Sequence, residues 1–201
     1  MNQTRLKQQL TFINEVEELK TVYRRNMVVG RERFENSAEH SWHIALMAIV
    51  LSEYANDDHR DVDLLKVIKM LLIHDLVEID AGDSWLYDEA ANATKAEREE
   101  ESAQRIFGLL PGDQAQEFHQ LWQEFEARQS SEAKMAASFD ALQPMMNFLL
   151  TGDAELDDIS VGEQTVREKK QHIREGSTVL WDVGQDIIAQ CVDAGLYGRE
   201  S

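Results

Sequence analysis

Apolar residues recur at three- and four-residue steps along nearly the whole chain, with little to interrupt them. Leu6, Leu10, Ile13, Val16 and Leu19 form one such stripe, a spacing that puts them on one face of a helix of about five turns. Pro111 and Pro144 are the only prolines, and ten glycines are spread over 201 residues. A sheet with many tight turns needs more of both, so the chain is expected to be all-α. Past a polar stretch around Gly30, a second helix is expected from near Ser37 through Ile44, Met47, Val50 and Leu51, with Asn36 or Ser37 as its N-cap. The segment NDDHRD breaks the pattern. The next helix, in VDLLKVIKMLLIHDLVEI, is so densely apolar that burial on most sides is expected. After Gly82 comes a loop with Trp85 and Tyr87. Further helices are expected over roughly 90–110, 113–128, 131–151, 160–175 and 177–194. With no repeat, low-complexity stretch or linker, residues 1–201 read as a single helical domain. Its core would span about 10–150, with the helices of about 160–194 packed on it.

The balance of charge narrows the partners. Thirty-eight acidic residues against 20 basic ones give a formal charge of −18. Affinity for nucleic acid or anionic lipid rests on Lys and Arg neutralising phosphate, so neither is an expected partner. A small phosphorylated substrate would be repelled too, unless a bound cation and a local arginine reverse the field. The single cysteine, Cys191, excludes an internal disulfide and reads as a buried thiol. The first residues, MNQTRLKQQLTF, lack the apolar core of a signal peptide, and no apolar run approaches 18 residues. The expected compartment is the cytoplasm.

Against that background, His74 and Asp75 are misplaced. They sit side by side inside MLLIHDLVEI, where an unpaired carboxylate would cost several kcal/mol to bury. Glu78 follows four residues after His74, on the same side of a helix, and Asp83 lies just past Gly82. His40 stands at the edge of an apolar stripe in AEHSWHIALMA, and Asp140 in KMAASFDALQPMM. Imidazoles and carboxylates on three apolar helices share one physical explanation, convergence on a divalent cation. A nitrogen and oxygen ligand set without thiolate suits Mn, Co, Mg, Fe or Zn. Pro144 removes the N–H that would donate to the Asp140 carbonyl, so a kink is expected there.

The ordered set His40, His74-Asp75 and Asp140 resembles the H…HD…D signature of the HD-domain phosphohydrolases. The blocks LKTVYRRN, ENSAEHSWHIALMA, HDLVEIDAGD and SSEAKMAASFDALQP, within roughly residues 10–150, are similar to the branch containing 5′-deoxynucleotidases. The resemblance implies an HD-domain helical bundle in which His40, His74, Asp75 and Asp140 bind the metal. It implies that Glu78 holds or deprotonates the attacking water, and that Asp83 contacts substrate or protonates the leaving alkoxide. Arg24, in L-K-x-V-x-R, matches the arginine that orients the substrate phosphate. The branch carries a tryptophan next, where this sequence has Arg25; Trp85 is the aromatic that would stack on a base or cover the site. The implied activity is hydrolysis of (deoxy)nucleoside monophosphates. Cleavage of another phosphate ester or a non-catalytic HD regulator are the alternatives. A homo-oligomer, as a dimer, is also implied.

Other polar residues have plainer readings. His43 is expected to support the site or pack, and Asp80 to face solvent. His59, His119 and His172 read as surface residues, and Trp42, Trp122 and Trp181 as core. Glu97, Glu99, Glu100 and Glu101 read as a solvated helix face, with Lys95 and Arg98 as partners. Glu132 and Lys134 are placed either to brace the Asp140 block or on the surface.

Overall fold

Asn36 starts the helix that carries the first candidate ligand. Its side chain accepts from the Glu39 backbone N–H while the Glu39 carboxylate accepts from the Asn36 N–H, a reciprocal capping box that fixes the first turn of α2 (Ser37–Leu51). The computed structural model describes residues 3–56, 61–88, 90, 93–156 and 161–198. His59 and most of the NDDHRD break lie outside the described residues. Before α2 come α1 (Gln3–Glu15), a 3₁₀ turn at Val16–Thr21, and a short antiparallel hairpin of β1 (Tyr23–Met27) and β2 (Phe34–Asn36). The hairpin is an addition to the helical expectation. It turns through Gly30 and Arg31, both at positive φ (91° and 58°), and β1 carries Arg24 and Arg25.

The segment expected to be one buried helix is three pieces. Helix α3 (Leu64–Ile73) is capped by Asp63, a 3₁₀ turn covers His74–Val77, and α4 is the single turn Glu78–Ala81. Its burial is one-sided: Val67, Met70, Leu71 and Ile73 are buried, while Leu65 (62%) and Leu72 (47%) face solvent, because the helices packed on it cover only one side. Gly82, at φ 73°, ends α4 and turns the chain toward Asp83. Then follow α5 (Lys95–Phe107), α6 (Gly112–Ala127), α7 (Ser131–Thr151), α8 (Glu163–Lys170), α9 (Ile173–Gly176) and α10 (Thr178–Asp193).

Helix α7 is the axis of the molecule. Met135, Ala136, Phe139, Leu142 and Met145 are buried on it, and α2, α3, α6, α9 and α10 all pack against it. It continues through Pro144 to Thr151, with no break in the helix. Asn26 ties β1 to this segment by donating to the Pro144 carbonyl at 3.0 Å. At the other side Gly176 presses so close that a Cβ there would lie 2.4 Å from Ser138 Oγ and 2.7 Å from the Lys134 carbonyl oxygen. Ser138 donates to the carbonyls of Lys134 and Ile173, so α9 is both packed and hydrogen-bonded onto α7.

Two expectations about packing need correction. The stripe on α1 points outward, with Leu6, Leu10 and Ile13 about half exposed; α1 docks instead through Phe12, whose ring meets Phe118 edge-on, and through Arg5–Asp113 and Gln9–Gln114 bonds. Trp42 is 63% exposed rather than core, on an α2 face shared with Leu46, Ile49 and Val50. Trp122 is buried and Trp181 packs half-buried on the core. Cys191 is fully buried, and no helix among the described residues is long and apolar enough to cross a membrane.

Candidate metal centre and its cavity

His40 lies fully buried in the first half of α2, and its ring is oriented by a chain of hydrogen bonds. Gln143, three residues beyond Asp140 on α7, donates its amide N–H to Glu35 Oε1 (3.1 Å). The Gln143 amide oxygen therefore faces His40 Nδ1 at 2.9 Å and must accept its proton. That assignment leaves a lone pair on His40 Nε2, which faces Asp140 Oδ1 at 3.0 Å. His74 repeats the arrangement: Nδ1–H donates to the Leu71 carbonyl (2.9 Å), leaving Nε2 bare. His74 Nε2 is buried with no hydrogen-bond partner. Asp75 Oδ1 is 2.9 Å and Asp140 Oδ1 3.7 Å from it, close enough for attraction but poorly aligned for a bond.

Ligand atoms of His40, His74 and Asp140 all lie within 4.8 Å of one another, so the three could hold a metal ion. Facing acceptors at this spacing need a positive charge between them, and an orphaned imidazole nitrogen beside two carboxylates fits a divalent cation. Without a cation the charge must come from protons. Burial opposes a charged His74, but Asp75 and Asp140 outweigh it and hold its pKa well above the ordinary value. Burial likewise would raise both aspartates, yet His74 and Arg24 pull Asp75 down to about 2, and His40 with His74 hold Asp140 well below the carboxylate range.

Arg24 reaches this cluster from β1. Its Nη1 donates to Asp75 Oδ2 at 3.2 Å, and its Nε lies 3.8 Å from Glu35 Oε2, too far for a hydrogen bond. The buried Nε is left without a partner. Glu78 is buried one turn past the His-Asp pair and accepts from Ser37 Oγ at 2.7 Å. Burial first, then the charge of Asp75, push its carboxyl well above the usual range. The same two effects raise Asp83 more weakly, because Arg24 offsets them.

A cavity of about 520 Å³ opens from this cluster. Arg24, Arg25, His74, Asp75, Glu78, Asp83, Trp85 and Asp140 all line it, so residues predicted from three separate stretches of sequence share one space with His40 directly behind them. Phe34, Phe148 and Tyr197 line it as well and give it an aromatic wall. Trp85 has company: the Arg25 guanidinium lies 4.4 Å from its ring centroid, and Tyr87 meets it edge-on.

Several plain readings change here. Glu99, expected on a solvated face, is buried, lines the cavity and pairs with Lys95 at 3.3 Å; α5 turns that residue inward along with Ser102 and Ala103. His172 and His119 are half-buried, and His119 pairs with Glu100 at 3.1 Å. Asp80 faces solvent as expected, where Arg105 donates to it. Glu132 accepts from the Asp63 backbone N–H and lies 3.9 Å from Lys66, so it braces the start of α3 rather than Asp140. His43 Nδ1 is 3.4 Å from Gln143 Nε2, in the layer behind the cluster. Gln143, Ser37 and Glu35 support the site without having been anticipated. Helical spacing could have found two of them, since Gln143 is three residues after Asp140 and Ser37 three before His40.

The HD domain family model matches residues 16–181. The 5′-deoxynucleotidase HDDC2 of Homo sapiens is 33% identical over 138 residues, 68% of this chain and 65% of that protein. Its Dictyostelium discoideum counterpart is 31% identical over 140 residues, covering 68% and 74%. The match thus spans just under two thirds of the human protein. A crystal structure described as a predicted metal-dependent phosphohydrolase from Magnetospirillum magnetotacticum MS-1 superposes with a TM-score of 0.90 at 42% identity, covering 97% of this chain and 96% of that one. A conserved hypothetical protein from Pyrococcus furiosus (TM-score 0.63, 19% identity, 89% and 98% covered) shares the fold.

Proposed function

The chain belongs to the HD-domain family, and from that premise we propose that it is a metal-dependent phosphomonoesterase acting on (deoxy)nucleoside 5′-monophosphates. One observation carries the reading. The bare nitrogens of two buried histidines and the carboxylate of Asp140 converge beside an arginine whose buried Nε has no partner. The names of the relatives at 31–33% identity support the same substrate class.

His40, His74, Asp75 and Asp140 would hold the cation, with Gln143 and the Leu71 carbonyl fixing the imidazole tautomers. A cation there supplies Lewis acidity, polarising a phosphoryl oxygen and bringing the pKa of a water toward neutrality. Arg24 offers its unpartnered Nε and the rest of a planar fork to the phosphate oxygens. Glu78, anchored by Ser37, receives the proton of the water that attacks phosphorus. Its raised pKa suits a group that takes a proton near neutrality. As the new P–O bond forms and the ester P–O bond breaks, Asp83 gives a proton to the departing alkoxide; its own raised pKa serves that role. The aromatic wall of the cavity would receive the nucleoside.

Arg25 over Trp85 favours a second reading, a substrate carrying more than one phosphate, because it puts a cation where the branch has an aromatic. Phosphate release from mono-, di- and triphosphate nucleotides separates the two. Preferential release from monophosphates supports the first reading, and release confined to di- or triphosphates contradicts it.

A further inference from the structure

Arg128 and Lys170 are among the cations that line the same cavity without a part in this mechanism. Arg128 caps the C-terminal end of α6 in the left-handed region, at φ 50°, and Lys170 is the last residue of α8. Both border the space that holds His74, Asp75, Asp140 and Arg24. A cation at a helix C-terminus ordinarily offsets the helix dipole from solvent. These two are instead partly withdrawn from water, and among the described residues neither side chain has an ion pair or a hydrogen bond. Several other cations of the protein do have such partners. Arg5, Lys66, Lys69, Lys95, Arg105 and Arg167 each hold a carboxylate, as expected where 38 acidic residues face 20 basic ones. Burial pushes the Lys170 ammonium down to about 8; Asp140 opposes that shift, while Arg24 and Arg128 add to it. Burial with Arg128 and Lys170 also pushes His172 down to about 4. Among the described residues this corner therefore gathers positive charge, with Asp140 the carboxylate that acts on Lys170, an arrangement that favours a further anion.

Charge balance at the reaction centre says which anion fits. A divalent cation among His40, His74, Asp75 and Asp140 would be neutralised by the two aspartates. Arg24 faces Asp75 and Glu35. Glu78 and Asp83 can contribute only negative charge. A phosphomonoester dianion would meet no net positive charge from these groups, and Lys170 with Arg128 brings the two charges it lacks.

We infer that Lys170 and Arg128 bind the phosphate group of the substrate, neutralising its dianion and selecting phosphomonoesters. The inference rests on the hydrolase reading, and its test separates the two. Inorganic phosphate is titrated calorimetrically into the manganese-loaded protein and into Lys170→Met, Lys170→Arg and Arg128→Gln variants. Metal content, melting temperature, KM and kcat for a nucleoside monophosphate are measured alongside. Lys170→Met and Arg128→Gln should weaken phosphate binding and raise KM by about 10- to 100-fold, the worth of one charge-assisted hydrogen bond. Metal content and melting temperature should hold, and Lys170→Arg should recover most of the loss. Wild-type phosphate affinity and KM in both neutral variants overturn the inference and leave the hydrolase reading standing. Losses that track metal content or melting temperature, and that Lys170→Arg does not recover, also overturn it. A wild-type protein that neither binds phosphate nor releases it from any ester overturns both.

Discussion

Replacing Gln143 by leucine tests whether the orientation of His40 matters to the cation. Gln143 does two things at once: its oxygen accepts from His40 Nδ1 at 2.9 Å and its nitrogen donates to Glu35 at 3.1 Å. Leucine fills similar volume and does neither. The ring of His40 then has no acceptor for Nδ1–H, and the alternative tautomer becomes favourable, with Nε2–H donating to Asp140 across the present 3.0 Å. That proton occupies the position where a cation would bind. Loss of an outer partner of this kind typically lowers metal affinity about 10- to 100-fold, or about 1.4–2.7 kcal/mol. Leaving Nδ1 and Glu35 unsatisfied should also cost about 1–3 kcal/mol of stability each at most. The assay is a competition titration of manganese against a chelator, paired with melting curves at several metal concentrations. The variant should need 10 to 100 times more free metal for the same rise in melting temperature, about that factor by linkage. An unchanged metal affinity in a folded Gln143→Leu protein would refute the tautomer argument.

Arg24→Ala should leave bound metal unchanged while raising KM about 10- to 100-fold, because a charged hydrogen-bond donor to phosphate is lost; metal analysis with steady-state kinetics checks it. Gly176→Ala should destabilise the fold by about 1–3 kcal/mol, read as a lower melting temperature, since the new methyl meets Ser138 Oγ and the Lys134 carbonyl. Glu78 has a folded-state pKa raised above its unfolded value of 4.5, so its charge destabilises the metal-free fold increasingly as pH rises past 4.5 toward that raised value. Glu78→Gln should therefore melt higher than wild type at pH 7 to 8, converge with it below about pH 4.5, and lose turnover; equal melting temperatures at pH 8 would contradict the burial argument.

Much of this architecture could be read from the chain because helical spacing and misplaced polarity are strong local signals. His40, His74, Asp75, Glu78 and Asp140 stood out as ionisable groups in apolar runs, and all are in or beside the cluster. Arg24 was legible only through its block, since nothing in LKTVYRRN announces a strand; the hairpin depends on Gly30 and Arg31 adopting positive φ. Burial misled where a helix has a second apolar face. Trp42 and the Leu6–Leu10–Ile13 stripe follow helical spacing yet point outward, because no helix among the described residues covers them. Glu99 and Lys170 sit in charged stretches that look solvated, and only the packing of α5 and α8 turns them toward the cavity. Such inward charges carry no local signature, because the walls of the cavity they face come from distant parts of the chain.

The proposed hydrolytic site is built on the His40, His74, Asp75 and Asp140 cluster. The most direct measurement is phosphate release from a nucleotide panel in the presence of Mn, Co or Mg, for wild type and Asp75→Asn in parallel, with bound metal quantified in both. The account predicts metal-dependent release from nucleoside monophosphates by wild type, and loss of both metal and release in the variant. Full phosphatase activity in Asp75→Asn would contradict it.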